Sequence, residues 1–377
     1  MPSCMKTAPS ITYLLVYVDD ILITGNSSSH IQSLISHMHS VFALKDLGLV
    51  SYFLGIAVHH TPTGLFLSQQ KYAADILLKA GLAECKPYSS SLSLKPSSFS
   101  SADDSLPFHN PSLYRSIVGA LQYLTLTRLD LSIAVNMACQ HMHLPTITDF
   151  AAVKRILRYL KGTLHFGLNF SPGSFDLHIF SDADWAGDPS DRRSISGFCV
   201  FLGSNLISWQ AKKQPTVARS STEAEYRALA HAAAEASWVQ MLLVEMFLSS
   251  STIPTLWCDN LSAISLASNP VFHARTKHIE IDYHFVREKV LQKQLQIRYV
   301  PSSEQIADIF TKPLTVSRFL YLQSKLLVTA APFSLRGADE DSTQHHLPQQ
   351  SNHLSQQSKQ STAATIIPDR RAHSAQE

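Results

Sequence analysis

Cysteine is scarce in this chain. Five cysteines (Cys4, Cys85, Cys139, Cys199 and Cys258) are spread over 377 residues and none forms a CxxC pair. That spacing argues against a zinc knuckle or a disulfide framework and makes a reduced intracellular compartment, cytoplasm or nucleus, the expectation. Charge is also sparse, at 16% of residues with a net value of +2. A nucleic-acid partner therefore has to be argued from local patches, since the overall balance is too small to imply one. No apolar run reaches membrane-spanning length, and no charged-then-apolar leader ending in a small-residue site opens the chain, so neither a membrane partner nor a signal peptide is expected. Hydrophobic residues make up 45% of the chain, enough for two or three domains with real cores.

The stretch with the most chemistry is Phe180-Ser181-Asp182-Ala183-Asp184-Trp185. It closes an apolar alternating run, Leu177–Phe180, that reads as a strand. A strand ending in carboxylates is unusual, because buried carboxylates are costly unless something cationic offsets them. Around it the pattern is three strands (177–182, 197–202, 206–210) and a long helix from about Ser220 to Phe247. A strand 255–258, a short helix 261–267 and a helix near 278–291 follow, then a strand 295–300 and a last helix from Ser303. Parallel strands joined by helical crossovers, beside antiparallel ones, make a mixed α/β sheet.

Three further acids stand at element ends. Glu223 and Glu225 compete at the start of the long helix, since Ser220-x-x-Glu223 and Thr222-x-x-Glu225 both fit a capping box. Helical spacing pairs Glu223 with Arg227 on a surface and puts Glu225 on the buried stripe of Leu229, Ala232 and Ala236. Chemistry is therefore assigned to Glu225 and capping to Glu223. Asp259 follows the strand 255–258 and also suits a helix N-cap. Asp308, Asp282 and, more weakly, Glu304 are candidates for a fourth acid. His273, His278 and His284 lack the cysteines and spacing of a zinc site. Four oxygen-donor acids favour magnesium, or manganese in its place. That is the set needed to hydrolyse a phosphodiester with two cations.

Upstream, Ile11–Gly25 reads as two β-rich arms flanking Asp19-Asp20, a hairpin with both acids at its tip, projecting from a buried sheet. Gln70–Ala80 reads as an amphipathic helix stopped at Gly81, and Ser89–Asp104 as a linker. Tyr114–Met142 holds two helices. The helix Phe150–Lys161 carries Lys154, Arg155, Arg158 and Lys161 opposite its apolar stripe. That face is either merely solvated or tracks phosphates, with Lys154 and Arg158 as candidates. Lys212, Lys213 and Arg219 form a second basic approach, before the long helix. The segment after Phe333 is rich in Ser, Gln and His and is expected to be disordered.

Tyr17-Val18-Asp19-Asp20 resembles the YxDD palm motif of reverse transcriptases. Asp46-Leu47-Gly48, Tyr52-Phe53-Leu54-Gly55-Ile56, YRSIVGALQYL and KRILRYLKGT are similar to the copia-type retrotransposon branch. DADWAGD, DRRSISGFCVFLG, LISWQAKKQPTVARSSTEAEYRALA, LWCDNLSAI, NPVFHARTKHIEIDYHFVRE and VPSSEQIADIFTKPL resemble the ribonuclease H region of the same polyproteins. The resemblance implies a truncated palm and thumb over 1–100, a helical connection over 101–174, a ribonuclease H-like domain over 175–318 and a mostly disordered tail over 319–377. It implies Asp182, Glu225, Asp259 and Asp308 as metal-binding catalytic residues and an RNA–DNA hybrid as substrate, read through its 2′-hydroxyls. Only 18 residues precede Asp19 and none is acidic, so the fingers and the first palm aspartate are expected to be missing. Polymerase activity is expected only if other Pol segments supply that half. The rival expectations are an inert or nucleic-acid-binding remnant, and an integrase-like core of the same broad fold.

Overall fold

The computed structural model describes residues 10–18, 20–94, 106–248, 250, 252–268 and 280–331, and the backbone of 362–368. The chain divides into two compact units, one drawn from 1–59 and 333–377 and the other from 60–332. Asp19, His273, His278 and the histidine-rich stretch of the tail lie outside the described residues.

In the first unit, β1 (Thr12–Tyr17) and β2 (Asp20–Gly25) form an antiparallel hairpin in which Tyr17 faces Asp20. Val18, just past β1, takes the left-handed backbone at φ +51°. Asp20 is the first residue of β2 and not a tip residue. Helix α1 (Ser28–Val41) is capped by the Ser27 side chain and lays Ile31 and Ile35 on Ile23. Strands β3 (Leu44–Leu49), β4 (Tyr52–Phe53) and β5 (Ile56–Thr61) follow. The expectation of a buried sheet fails for β1: Leu14, Leu15, Val16 and Tyr17 are each at least half exposed. Alternation and β-propensity report that a strand forms; burial depends on what lies against it.

The second unit is built around a five-stranded mixed sheet. Its helices begin with α2 (Gln70–Lys79), after the strand β6 (Gly64–Ser68). Then come α3 (Pro111–Leu124), α4 (Ser132–Cys139) and α5 (Ile147–Gly162), the last started by a reciprocal Thr146/Asp149 capping box. Strand β7 (Phe166–Phe170) pairs antiparallel with β6. Strands β8 (Leu177–Asp184), β9 (Ile195–Leu202) and β10 (Asn205–Lys213) form an antiparallel meander. Helix α6 (Ser221–Glu245) crosses over to β11 (Thr255–Cys258), which lies parallel to β8. Helices α7 (Leu261–Ser268) and α8 (Glu280–Leu291) lead to β12 (Gln296–Tyr299), parallel to β11. The sheet order is β10-β9-β8-β11-β12. Three antiparallel strands, a helix and then parallel strands is the ribonuclease H arrangement, as the sequence order implies.

Period two sends alternate side chains of β8 to opposite faces. Leu177 and Ile179 pack with Tyr226, Leu229 and Ala233 of α6. Phe180 packs toward the other face, where Cys199, Phe201 and Leu206 meet a helical layer that includes Leu77, Ile117, Leu121 and Leu157. Among the described residues one apolar core thus runs from the helices of 70–162 into the sheet, across the expected boundary at 174/175.

Four sequence expectations need correction here. The last helix does not start at Ser303. Residues 302–304 and 306–310 are two tight 3-10 turns, broken off by Pro313, and a regular helix α9 (Val316–Lys325) begins only after it. The polar tail does not start at 319: Phe319, Leu322 and Leu326 are buried in the main core, and β13 (Val328–Ala330) pairs with β7. A further strand, β14 (Thr362–Pro368), pairs with β2 and β3 in the first unit, inside the stretch expected to be disordered. The proposed linker is also partly structured, since Ser90 and Ser91 are buried and Arg155 donates to Ser90 Oγ at 3.1 Å.

Candidate active site

The acids converge at one end of the sheet for reasons of topology. Strands β8 and β11 run parallel with Trp257 paired to Phe180, so Asp182 and Asp259 leave the same end, the carboxyl ends of both strands. Asp182 is fully buried, on the Phe180 side of the sheet. Its Oδ2 accepts from Thr311 Oγ1, and Lys312 Nζ lies 3.3 Å from the same oxygen. Burial raises the Asp182 pKa, opposed by the Lys312 ammonium, with Asp308 and Asp259 adding to the rise.

Glu225 enters from the first turns of α6. Leu229, Ala232 and Ala236 on its stripe are all buried against the sheet, and the stripe carries Glu225 into the same pocket, 6% exposed. The backbone N–H of Ala183 donates to it, while its Oε2 is buried without a hydrogen-bond partner. Burial, then the charges of Asp182 and Asp259, push its pKa up to about 9. Glu223 takes the structural role: its backbone N–H donates to Ser220 Oγ, and its carboxylate accepts from the Arg219 N–H and from Arg227 at 2.9 Å. The pairing with Arg227 matches the spacing, but the pair is buried and not on the surface, Glu223 being 6% exposed.

Asp259 escapes the capping role that its position suggests. Asn260 caps α7 instead, its Oδ1 accepting from Ala263 N at 3.0 Å. Asp259 Oδ2 accepts from Ser302 Oγ at 2.8 Å. Donor atoms of Glu225, Cys258 and Asp259 all lie within 4.8 Å of one another.

Of the candidates for a fourth acid, Asp308 is the one that lies beside Asp182. It sits in the second 3-10 turn, held on β8 by Gln305, whose Nε2 donates to the Ser181 carbonyl at 3.0 Å. Lys312 Nζ is 2.8 Å from Asp308 Oδ1, and Arg318 Nη2 is 3.3 Å from Oδ2. Asp282 lies elsewhere on α8: burial raises its pKa, and the charges it feels are His231 and Arg227. Glu304 accepts from Tyr321 OH at 2.6 Å and takes no part. Asp184, pushed up to about 7 chiefly by burial, accepts from the Ile195 N–H across the hairpin.

The basic candidates fare unevenly. Lys213 is neutralised by Asp188 at 2.5 Å and Asp191 at 2.9 Å. Arg158 stacks on the Tyr88 ring at 3.6 Å and donates to the Lys86 carbonyl at 2.7 Å, a clamp on the segment 86–90. Lys154, Lys212 and Arg219 are exposed. Sequence reasoning missed Thr311, Lys312 and Arg318. The signal was present for one of them, since Lys312 is four residues past Asp308, the spacing of a local ion pair.

A divalent metal fits these residues. The donors are hard oxygens with one thiol at the margin, Glu225 has an unpaired buried oxygen, and mutual repulsion among Asp182, Glu225 and Asp259 is what a cation would relieve.

Residues 8–93 match the family described as reverse transcriptase (RNA-dependent DNA polymerase). The chain is 45% identical over 329 residues to the retrovirus-related Pol polyprotein from transposon RE1 of Arabidopsis thaliana, covering 87% of this chain and 22% of that relative. It is 57% identical over 227 residues to an uncharacterized mitochondrial protein of the same plant, covering 60% of this chain and 93% of that one. Among solved structures, the foamy viral protease-reverse transcriptase in complex with RNA/DNA hybrid covers 80% of this chain and 37% of its own, at 13% identity and a TM-score of 0.44. Sharing sequence along most of its length with a transposon polyprotein, and carrying a reverse transcriptase segment ahead of a mixed five-stranded sheet, the chain is homologous to copia-type retrotransposon Pol polyproteins, of which it spans 22% in the RE1 case.

Proposed function

We propose that this chain hydrolyses the RNA strand of an RNA–DNA hybrid at the Asp182 end of the sheet. The observation that carries the reading is the convergence of Asp182, Glu225, Asp259 and Asp308, from four separate elements, on one pocket where buried Glu225 Oε2 has no hydrogen-bond partner. Asp182, Glu225 and Asp259 would hold a magnesium or manganese ion, with Asp308 on the far side of Asp182. Such an ion, when bound, supplies an activated water and neutralises charge on the scissile phosphate.

The chain's own residues prepare the site. Thr311 and Lys312 hold the Asp182 carboxylate, the Ala183 N–H orients Glu225, and Ser302 Oγ fixes Asp259. These contacts set the acids before any ligand arrives, so little reorganisation is left to the bound state. Exposed Arg219 and Lys212 flank the start of α6 and would position phosphates without reading sequence.

The test is cleavage of an end-labelled RNA–DNA hybrid by the purified full chain, with magnesium and with chelator, beside Asp182→Asn, Glu225→Gln and Glu223→Gln. Magnesium-dependent cutting of the RNA strand, lost in the first two variants and kept in the third, is expected. Loss in Glu223→Gln but not Glu225→Gln would transfer the helix role. Absence of cutting by the folded wild-type chain would leave an inert remnant.

A further inference from the structure

We infer that Lys312 occupies the place of a second cation, so that this site takes one divalent ion and not two. The inference rests on the hydrolase reading of the same pocket and refines it. Three observations carry it. First, Lys312 Nζ lies between the two acids, 2.8 Å from Asp308 Oδ1 and 3.3 and 3.4 Å from the two Asp182 oxygens. An ammonium at those distances fills the gap that an ion bridging Asp182 and Asp308 would need. Second, the remaining Asp308 oxygen is 3.3 Å from Arg318 Nη2, a guanidinium pinned by the carbonyls of Ser302, Ser303 and Gln305. Asp308 thus has a cation within ion-pair distance of each oxygen, although its buried Oδ1 makes no regular hydrogen bond. Third, the charges balance with one ion. Four ionised acids carry four negative charges, Lys312 and Arg318 supply two positive ones, and a single divalent ion among Asp182, Glu225 and Asp259 neutralises the rest.

The backbone at Lys312 is placed by its surroundings, while its side chain keeps a partly exposed flank. Lys312 follows Thr311, whose hydroxyl donates to Asp182, and precedes Pro313, which ends the 3-10 turn. The aliphatic stem of a lysine reaches across this turn while its compact ammonium sits among carboxylates as a point charge. The sheet makes room for the turn at Gly197, where a Cβ would stand 2.6 Å from Phe310 Cβ and 2.8 Å from Thr311 Cγ2. Lys312 is therefore a positioning and charge-supplying residue. It holds Asp182 and Asp308 together and provides positive charge beside both.

Manganese stoichiometry tests this without relying on turnover. Mn2+ binding to the full chain is followed by calorimetry and by the loss of the free-ion paramagnetic resonance signal. The count at this site is taken as the difference from Asp182→Asn. Wild type is expected to bind one ion there, Lys312→Met two, and Lys312→Arg, which keeps the charge, one. Two ions in wild type would overturn the inference while leaving the hydrolase reading in place. One ion in both wild type and a folded Lys312→Met, verified by circular dichroism, would show that Lys312 blocks nothing and would also overturn it. The wild-type count needs no variant, so a misfolded Lys312→Met still leaves the inference testable. No ion in wild type would remove the metal reading and this inference together, a result distinct from either of the others.

Discussion

Replacing Glu225 by Gln should make the metal-free protein more stable near neutral pH, contrary to the usual cost of altering a buried residue. The reason is the environment of the carboxyl. Burial and the charges of Asp182 and Asp259 move its pKa from 4.5 to about 9 in the folded chain. The folded state therefore holds a proton that the unfolded state releases. Below pH 4.5 both states are protonated and the group contributes no difference. From pH 4.5 to about 9 the unfolded state gains progressively by ionising, so stability falls as pH rises, and above about 9 the loss is complete. At pH 7 the gap spans about 2.5 pH units, a penalty of about 3 kcal/mol at most. Gln keeps the acceptor for the Ala183 N–H, cannot ionise, and adds an amide donor facing two carboxylates. Urea denaturation of wild type and Glu225→Gln in chelator, at pH 4.5 and pH 8, measures the effect. The two should agree at pH 4.5 and separate by about 2–4 kcal/mol at pH 8, Gln being the more stable. Adding magnesium should then stabilise wild type and not the variant, since a ligand that binds only the folded state shifts the equilibrium. Parallel pH curves, or a variant less stable than wild type at pH 8, would refute the reasoning.

Two further outcomes follow from the packing. Leu322→Ala, at a fully buried position of α9, should cost about 2–5 kcal/mol in the same denaturation assay; a change below about 0.5 kcal/mol would return this helix to the tail. Gly197→Ala should displace the turn that carries Asp308, Thr311 and Lys312, because the added Cβ meets Phe310 and Thr311 well inside contact distance. Overpacking costs about 1–3 kcal/mol, and magnesium affinity, read by titration calorimetry, should fall at least tenfold; an unchanged affinity would show that the turn yields without moving the acids.

Much of the architecture was legible in local pattern. Alternation in Leu177–Phe180 and the apolar stripe through Glu225, Leu229, Ala232 and Ala236 announced the central strand and its covering helix, and both elements form. These signals survive because side-chain periodicity is a property of a few consecutive residues. Burial was less legible. The apolar arm Leu14–Tyr17 reads like a buried strand and is exposed, whereas Phe319 and Leu322, past the expected domain end, are buried. Capping shows the same limit: Asp259-Asn260 offers two caps to one helix, and the choice of Asn260 appears only when Asp259 is seen bonded to Ser302.

By itself the sequence determined the element types, the family motifs and a short roster of acids at element ends. Only the tertiary structure decided which of those acids meet. Asp308 joins Asp182 and Asp282 does not, because Gln305 ties its turn to Ser181 from 124 residues away. It also put a lysine between them: Lys312 and Asp182 are 130 residues apart, a separation over which no local periodicity carries information. Contacts of that range are set by how a helical crossover returns the chain to the sheet and by how closely Gly197 lets the turn approach.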